Sequence, residues 1–399
     1  MKVGDGFHLT YCSNIHPGET WEAMNAALRT SLPRIREILG YRGAMAVGLR
    51  VSAEAAADLE QQAALDRFRD FLREGNYYVF TINGFPYGAF HGERVKERVY
   101  LPDWRTRERL DYSNSLARIL AALLAGREDI EGSVSTVPGA FRAAVDGDGD
   151  ATVIAVNVLR HAAFLVGLRK QTGATVALAI EPEPACLIET TDDAVGFFSK
   201  YLFDPSLVSS VAAETGTPLG VDDVRRHVGI CLDACHVAVK FEDPLAALRK
   251  LSDAGIRILK VQVSSALRLE RQDAAALSRS LTRFADDTYL HQVVENSASG
   301  RVQFTDLPDA LAAAARDPGI RRDWRVHFHV PIFLDAMQGF ETTQRDLSML
   351  LGALKRAPAC RYLEIETYTW DVLPAEYRTT DVCMAIAREL SWTRSQLEA

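Results

Sequence analysis

The sequence predicts an α/β fold, a (β/α)8 TIM barrel with an inserted hairpin and extended loops. Three observations lead there. Short apolar runs such as VALAI and VGICL alternate with helical patterns, as they do when parallel strands are buried on both faces. Several of those runs stop abruptly at carboxylates or imidazoles, which gathers polar chemistry at one end of the strands. The length of 399 residues exceeds the ~250 of an unelaborated barrel, and no low-complexity linker divides it, so 1–399 reads as a single domain with insertions.

The elements follow in order. FHLTYCSN is a first strand with His8, Thr10 and Cys12 on one face, and Pro17 and Glu19 announce the helix after it. AMAVGLRVS is a second strand, ending near Arg50. YYVFTING is a third, with Asn83 at its end, and a Gly-Phe-Pro-Tyr-Gly turn opens an elaborated loop over 84–110. In GSVSTV, the fourth, small hydroxyls at Ser133 and Ser135 share a face and leave room for a ligand or water. A long apolar helix follows, on which His161 reads as a packed or surface histidine.

TVALAIEPEP is the fifth strand, and the prolines beside Glu181 and Glu183 hold those carboxylates rigidly as the chain leaves the sheet. VGICLDACH is the sixth, where Asp233 and His236 lie one turn apart and reach a single pocket. IRILKVQVSSALRLE is the seventh, with Gln262, Ser264 and Arg268 at or beyond its exit. SASG then separates two alternating runs into a hairpin, which with the helix LPDALAAAARD forms an insertion over 271–320. WRVHFHVP, carrying His327 and His329, and RYLEIETY, carrying Glu364 and Glu366, close the chain. This makes nine candidate strands where a barrel holds eight, so one belongs to an insertion.

Composition narrows the partners. A net charge of −8, with no basic stripe interleaved with aromatics, argues against nucleic acid. The N-terminus has no secretory pattern and no stretch reads as a membrane span, so a cytoplasmic protein that is not membrane-embedded is expected. The six cysteines are scattered without paired spacing, as in a reduced compartment.

Glu181, Asp233 and His236 at consecutive strand ends form the heart of a divalent metal site, and mixed oxygen and imidazole donors suit Mn, Zn, Co, Mg or Fe. At these positions the sequence resembles the xylose isomerase-like superfamily of sugar isomerases and epimerases. The resemblance rests on Glu181, on LDACH and on the final EIETY. It implies Glu181, Asp233 and Glu366 as metal ligands, with Glu181 and Glu366 as the catalytic proton carriers. It also implies His236 and Arg268 as substrate-binding residues, and Asn83 and His8 join them on the strands that reach the same site. The remaining ligand is His329 or Gln262; imidazole is the commoner donor to a transition metal and favours His329.

Over nearly the full length, TYCSNIHPGETW, GLRVS, FTINGFPYG and LEIETYTW look like the EboE-type metabolite traffic proteins, an offshoot of that superfamily. That resemblance implies a small-molecule metabolite, a metabolite-export gene context and other proteins of the same cluster as partners. The expected function is a metal-dependent isomerase or epimerase of a small polyhydroxylated or carbonyl metabolite. Its alternatives are a non-catalytic metabolite carrier and a metal-dependent hydrolase or phosphodiesterase.

Overall fold

The computed structural model describes all residues except 93, 128, 338, 379 and 399. Among the described residues, eight parallel strands follow one another around a barrel: Phe7–Tyr11, Met45–Arg50, Tyr77–Asn83, Gly132–Thr136, Val176–Ile180, Val228–Asp233, Ile258–Val263 and Tyr362–Ile365. The last pairs in parallel with the first, Tyr362 opposite His8, and a parallel bridge between Cys12 and Gly48 joins first to second. Lys2–Val3 adds a short antiparallel edge.

The barrel interior is not all apolar. Lys260, fully buried, donates from Nζ to Glu364 Oε2 at 2.6 Å and to Ser135 Oγ at 3.0 Å. The space expected beside Ser135 for ligand or water is therefore filled by a lysine. Burial opposes the ammonium charge, but Glu364 together with Cys231, Glu181 and Cys12 outweighs it and holds the pKa above the ordinary lysine value. Gly48 makes room for this pair, since a Cβ there would stand 2.0 Å from Glu364 Oε1.

Two strand assignments change. The run from 256 to 270 is not one strand. Ile258–Val263 belongs to the barrel, the chain turns at 264–266, and Leu267–Gln272 enters a second, antiparallel sheet. That sheet runs in the order Gly300–Phe304, Val293–Ser297, Arg322–Val326, Leu267–Gln272, Phe340–Thr342, Ala336–Met337. Its hairpin at 293–304 is as the sequence suggests, but the inserted sheet spans 267–342 rather than 271–320. Arg322–Val326 is the ninth candidate strand, paired with Val293–Ser297 and Leu267–Gln272 and not with the barrel.

Leu269, Leu277, Phe284, Val293 and Trp324 of the insert are buried in one core continuous with that of the barrel, so the insert is an outgrowth and not a separate body. The helix Gly147–Thr172 is long and apolar enough to cross a membrane by composition, contrary to the sequence expectation. Here 67% of its most apolar window is buried against the protein, and His161 on it is packed, with Nδ1 2.7 Å from Asn114 Oδ1.

Candidate metal centre

The site lies where the barrel strands end, the position that parallel α/β barrels use for chemistry. Glu181 follows the fifth strand, Asp233 ends the sixth and Glu366 follows the eighth; one carboxylate oxygen from each lies within 4.8 Å of the other two. Each is buried, at 3%, 1% and 5% exposure, so three carboxyl groups are crowded together away from water.

The surroundings fix these carboxylates in one sense. Asp233 caps the helix Ala234–Val239, with Oδ1 accepting from the His236 amide at 2.9 Å and from Ser264 Oγ at 2.8 Å. Its Oδ2 is left with no hydrogen-bond partner. Glu366 Oε1 accepts from Asn14 Nδ2 at 2.8 Å and Asn83 Nδ2 at 2.9 Å, which turns Oε2 toward the cluster. Glu181 Oε2 is also buried without a partner. Orphaned carboxylate oxygens converging in a dry site are what a divalent cation satisfies, so these residues fit such an ion.

Burial raises the Glu181 carboxyl well above its usual range, and the neighbouring Glu366 charge adds to that. Glu366 is pushed up to about 8 by burial, then by Asp233 and Glu364. Glu183, two residues beyond Glu181, rises to about 7 through burial, although Tyr100 donates to its Oε1 at 2.9 Å. Lys260, below the site, lowers both Glu181 and Glu366 without neutralising them.

A wall of imidazoles borders the carboxylates. His236 stands beside Asp233 on the barrel, whereas His327 and His329 arrive on the segment that leaves the inserted strand Arg322–Val326. His329 Nδ1 lies 2.8 Å from the Glu366 carbonyl, so it donates there and leaves Nε2 with its lone pair free. Nε2 stands 3.9 Å from Asp233 Oδ2 and 3.3 Å from His327 Nε2. His329 thus borders the carboxylate cluster through Asp233 and faces the other histidines.

Gln262, opposite both Asp233 and Glu364 in register, is fully buried with neither amide atom hydrogen-bonded. It remains on the barrel wall as the strand neighbour of two acidic positions.

Asn83 reaches the site, but as a clamp on Glu366. Two expected substrate residues lie elsewhere. Arg268 went astray with the strand break: it sits in the inserted sheet, paired with Glu270 and, at 3.6 Å, with Glu341. His8 lies at the start of the first strand, level with Tyr362 at the start of the eighth, and its Nδ1 is 3.0 Å from Tyr78 Oη. It lines a hollow at the opposite end of the barrel with Gly132, Ile258 and Tyr362.

Phe85, Phe90, Val99 and Tyr100 from the loop after the third strand, with Leu290 and Tyr368, wall a pocket whose polar lining includes Asn14, Glu181, Glu183, His236, His327 and Glu366. Arg109 pins that loop by donating to the carbonyls of Pro102 at 2.7 Å, Gly84 at 2.7 Å and Phe85 at 3.1 Å. Sequence reasoning did not assign Asn14, Tyr100, Gln292 or Tyr368. The polar run CSN directly after the first strand was the available signal for Asn14.

No protein-family model matches the chain, and no curated protein matches it. Among solved structures, a xylose isomerase-like TIM barrel protein from Mycobacterium smegmatis in complex with magnesium aligns over 100% of this chain and 99% of its own, at 12% identity and TM-score 0.52. L-ribulose 3-epimerase aligns over 100% of this chain and 95% of its own, at 11% identity and TM-score 0.48. The IOLI protein with a bound zinc atom aligns over 98% of each chain, at 12% identity and TM-score 0.43. The first of these likenesses shows the fold: the chain is an α/β barrel of the same architecture as that xylose isomerase-like TIM barrel protein.

Proposed function

We propose that this protein is a metal-dependent isomerase or epimerase of a small polyhydroxylated carbonyl metabolite. The observation that carries the reading is the trio Glu181, Asp233 and Glu366, buried within 4.8 Å of one another at the barrel mouth with orphaned oxygens on two of them. A divalent ion bound there supplies Lewis acidity to adjacent hydroxyl and carbonyl oxygens.

The chain's own residues do the rest. Asn14 and Asn83 hold Glu366 in one rotamer, which makes it a fixed donor. Glu181, which lines the pocket and is not clamped by hydrogen bonds as Glu366 is, is the better placed to take a carbon-bound proton and return it. The aromatic wall of Phe85, Phe90, Tyr100 and Tyr368 shields the reacting carbon from bulk water.

The imidazoles beside the carboxylates favour a second reading, metal-dependent hydrolysis, since nitrogen-rich sites suit ions that activate water. The resemblance of the sequence to EboE-type proteins supports, for either activity, a cytoplasmic, metabolite-export setting with partner proteins of the same gene cluster.

The test is incubation of the Mn- or Zn-loaded protein with ketoses, aldoses and inosose-type ketones in deuterated water. Deuterium at a carbon-bound position, abolished in Glu181→Gln, is the expected result. Tight binding of one of these compounds with no exchange would instead make the protein a carrier, and release of an ester's alcohol or phosphate would favour hydrolysis.

A further inference from the structure

The last helix, Val382–Glu398, packs outside the barrel against the helices Trp21–Leu39 and Gln344–Arg356. Its buried face carries Ala385, Ile386, Leu390 and Thr393 at helical spacing, and among them stands Glu389, at 2% exposure. Among the described residues no cationic side chain pairs with this carboxylate. Burying a carboxylate without a counter-charge is costly unless hydrogen bonds satisfy it, so the groups that donate to it explain its place.

There are two such donors. Glu389 Oε1 accepts from Thr367 Oγ1 at 2.7 Å and from the Ile332 amide at 3.2 Å. Burial raises the carboxyl to about 7, and both hydrogen bonds pull it back down. Its ionised form only accepts, which suits two donors.

Those donors belong to two different segments of the site. Thr367 directly follows Glu366, and Ile332 lies three residues past His329. Both segments are irregular backbone there: one lies beyond the strand Tyr362–Ile365, the other between Arg322–Val326 and Ala336–Met337. Within the site they are already stitched together, since His329 Nδ1 donates to the Glu366 carbonyl at 2.8 Å and Thr369 Oγ1 donates to the His329 carbonyl. Glu389 adds a cross-link from behind, on a third element.

We infer that Glu389 is a positioning residue: through Thr367 and Ile332 it clasps the segment bearing Glu366 to the segment bearing His329, and so holds the Glu366 carboxylate against the other two acids. It lies behind the two segments and not in the pocket wall, and its contribution is the geometry of an acceptor and not its charge. The consequence for a bound ion rests on the cation-binding reading of the trio; the clasp itself does not.

Two readouts on the full chain, at about pH 8.5 where the carboxylate is ionised, test this. The first is solvent exchange of the His329 Nδ1 proton in chelator-treated protein, followed by nitrogen-edited NMR, with the resonance identified by its loss in His329→Gln. Glu389→Ala is expected to speed that exchange about tenfold or more, whereas Glu389→Gln, whose amide oxygen accepts the same two bonds, is expected to stay within about twofold of wild type. The second readout is cobalt(II) affinity by competition with a chelator, expected to fall about tenfold in Glu389→Ala and to be restored in Glu389→Gln. Unchanged exchange in Glu389→Ala overturns the clasp. Glu389→Gln behaving like Glu389→Ala overturns it too, because charge would then be what matters. Faster exchange with unchanged cobalt affinity overturns the positioning of Glu366. A wild type that binds no cobalt sinks the cation reading of the trio, while the proton readout still decides the clasp. Thr367→Val, of the same shape but without the hydroxyl donor, is expected to reproduce the Glu389→Ala result and replaces that variant should it not fold.

Discussion

The two halves of the site are built differently. The carboxylate half comes from the barrel itself: Glu181, Asp233 and Glu366 each sit at or just past the end of a parallel strand, where the strand's register fixes the position of the side chain. The imidazole half depends on a chain excursion, since His327 and His329 lie on irregular backbone between two strands of the inserted sheet, Arg322–Val326 and Ala336–Met337, held by hydrogen bonds to Gln292 and to the Glu366 carbonyl. A strand end places a ligand through the sheet, whereas the second half must be placed residue by residue.

Asp233 belongs to both halves, and its substitution should have the largest effect. Asp233→Ala should abolish metal uptake and lower turnover by 10³ or more, and should also cost ~1 kcal/mol of stability through loss of the helix cap. Elemental analysis and thermal melting read the two effects separately. Unchanged metal content would show that the halves do not meet at this residue.

Next comes the pair beneath the site. Lys260→Met leaves Glu364 buried and uncompensated, and should destabilise the fold by about 3–5 kcal/mol in urea unfolding. The double variant Lys260→Met with Glu364→Gln should recover much of that loss. Recovery to wild-type stability with lost metal affinity would show that the pair serves the carboxylate half electrostatically.

The clamp on Glu366 should be worth less. Asn14→Ala and Asn83→Ala each free one donor from Oε1, and each should weaken metal affinity by about 10–100-fold with little change in thermal stability. Competition with a chelator measures this. The same loss in both variants would mean that either amide alone fails to hold the rotamer.

The sign of the pH dependence follows from the raised carboxyls. With Glu366 at about 8 and Glu183 at about 7 in the fold, against 4.5 as the ordinary value, the metal-free native state binds more protons than the unfolded chain between these limits. Stability of the metal-free protein should therefore fall as pH rises from about 5 to about 8, and added metal should flatten the trend by replacing the protons. Melting temperatures with and without chelator check it; a metal-free protein that gains stability over this range would contradict the burial of the trio. The smallest effect should come from Arg268→Ala, which should leave substrate KM within about twofold because its guanidinium is engaged by Glu270 in the insert.

The contrast between the halves also explains what could be read in the sequence. Glu181, Asp233 and Glu366 were visible because apolar strands that stop at acids carry their own period. Their neighbour Gln262 was visible for the same reason. The break at 264–266 was not, because SSA continues the alternation closely enough to suggest one strand; Arg268 was consequently placed at the mouth. His327 and His329 were legible as a same-face pair but not as the exit of an antiparallel sheet, since strand partnership is a tertiary matter. Lys260, flanked by Leu259 and Val261 in a fully buried strand, was a signal of an interior charge that periodicity alone does not interpret.

The clamp joining Asn14 to Glu366 spans 352 positions of the chain. Contacts of such separation pay their loop entropy in full before they return anything, so the carboxylate half can mature only when the first and last barrel strands meet. Uptake of an ion at this trio would thus report ring closure. During refolding, the appearance of chelator-resistant metal should lag the recovery of helical signal and coincide with the burial of Tyr362 against His8.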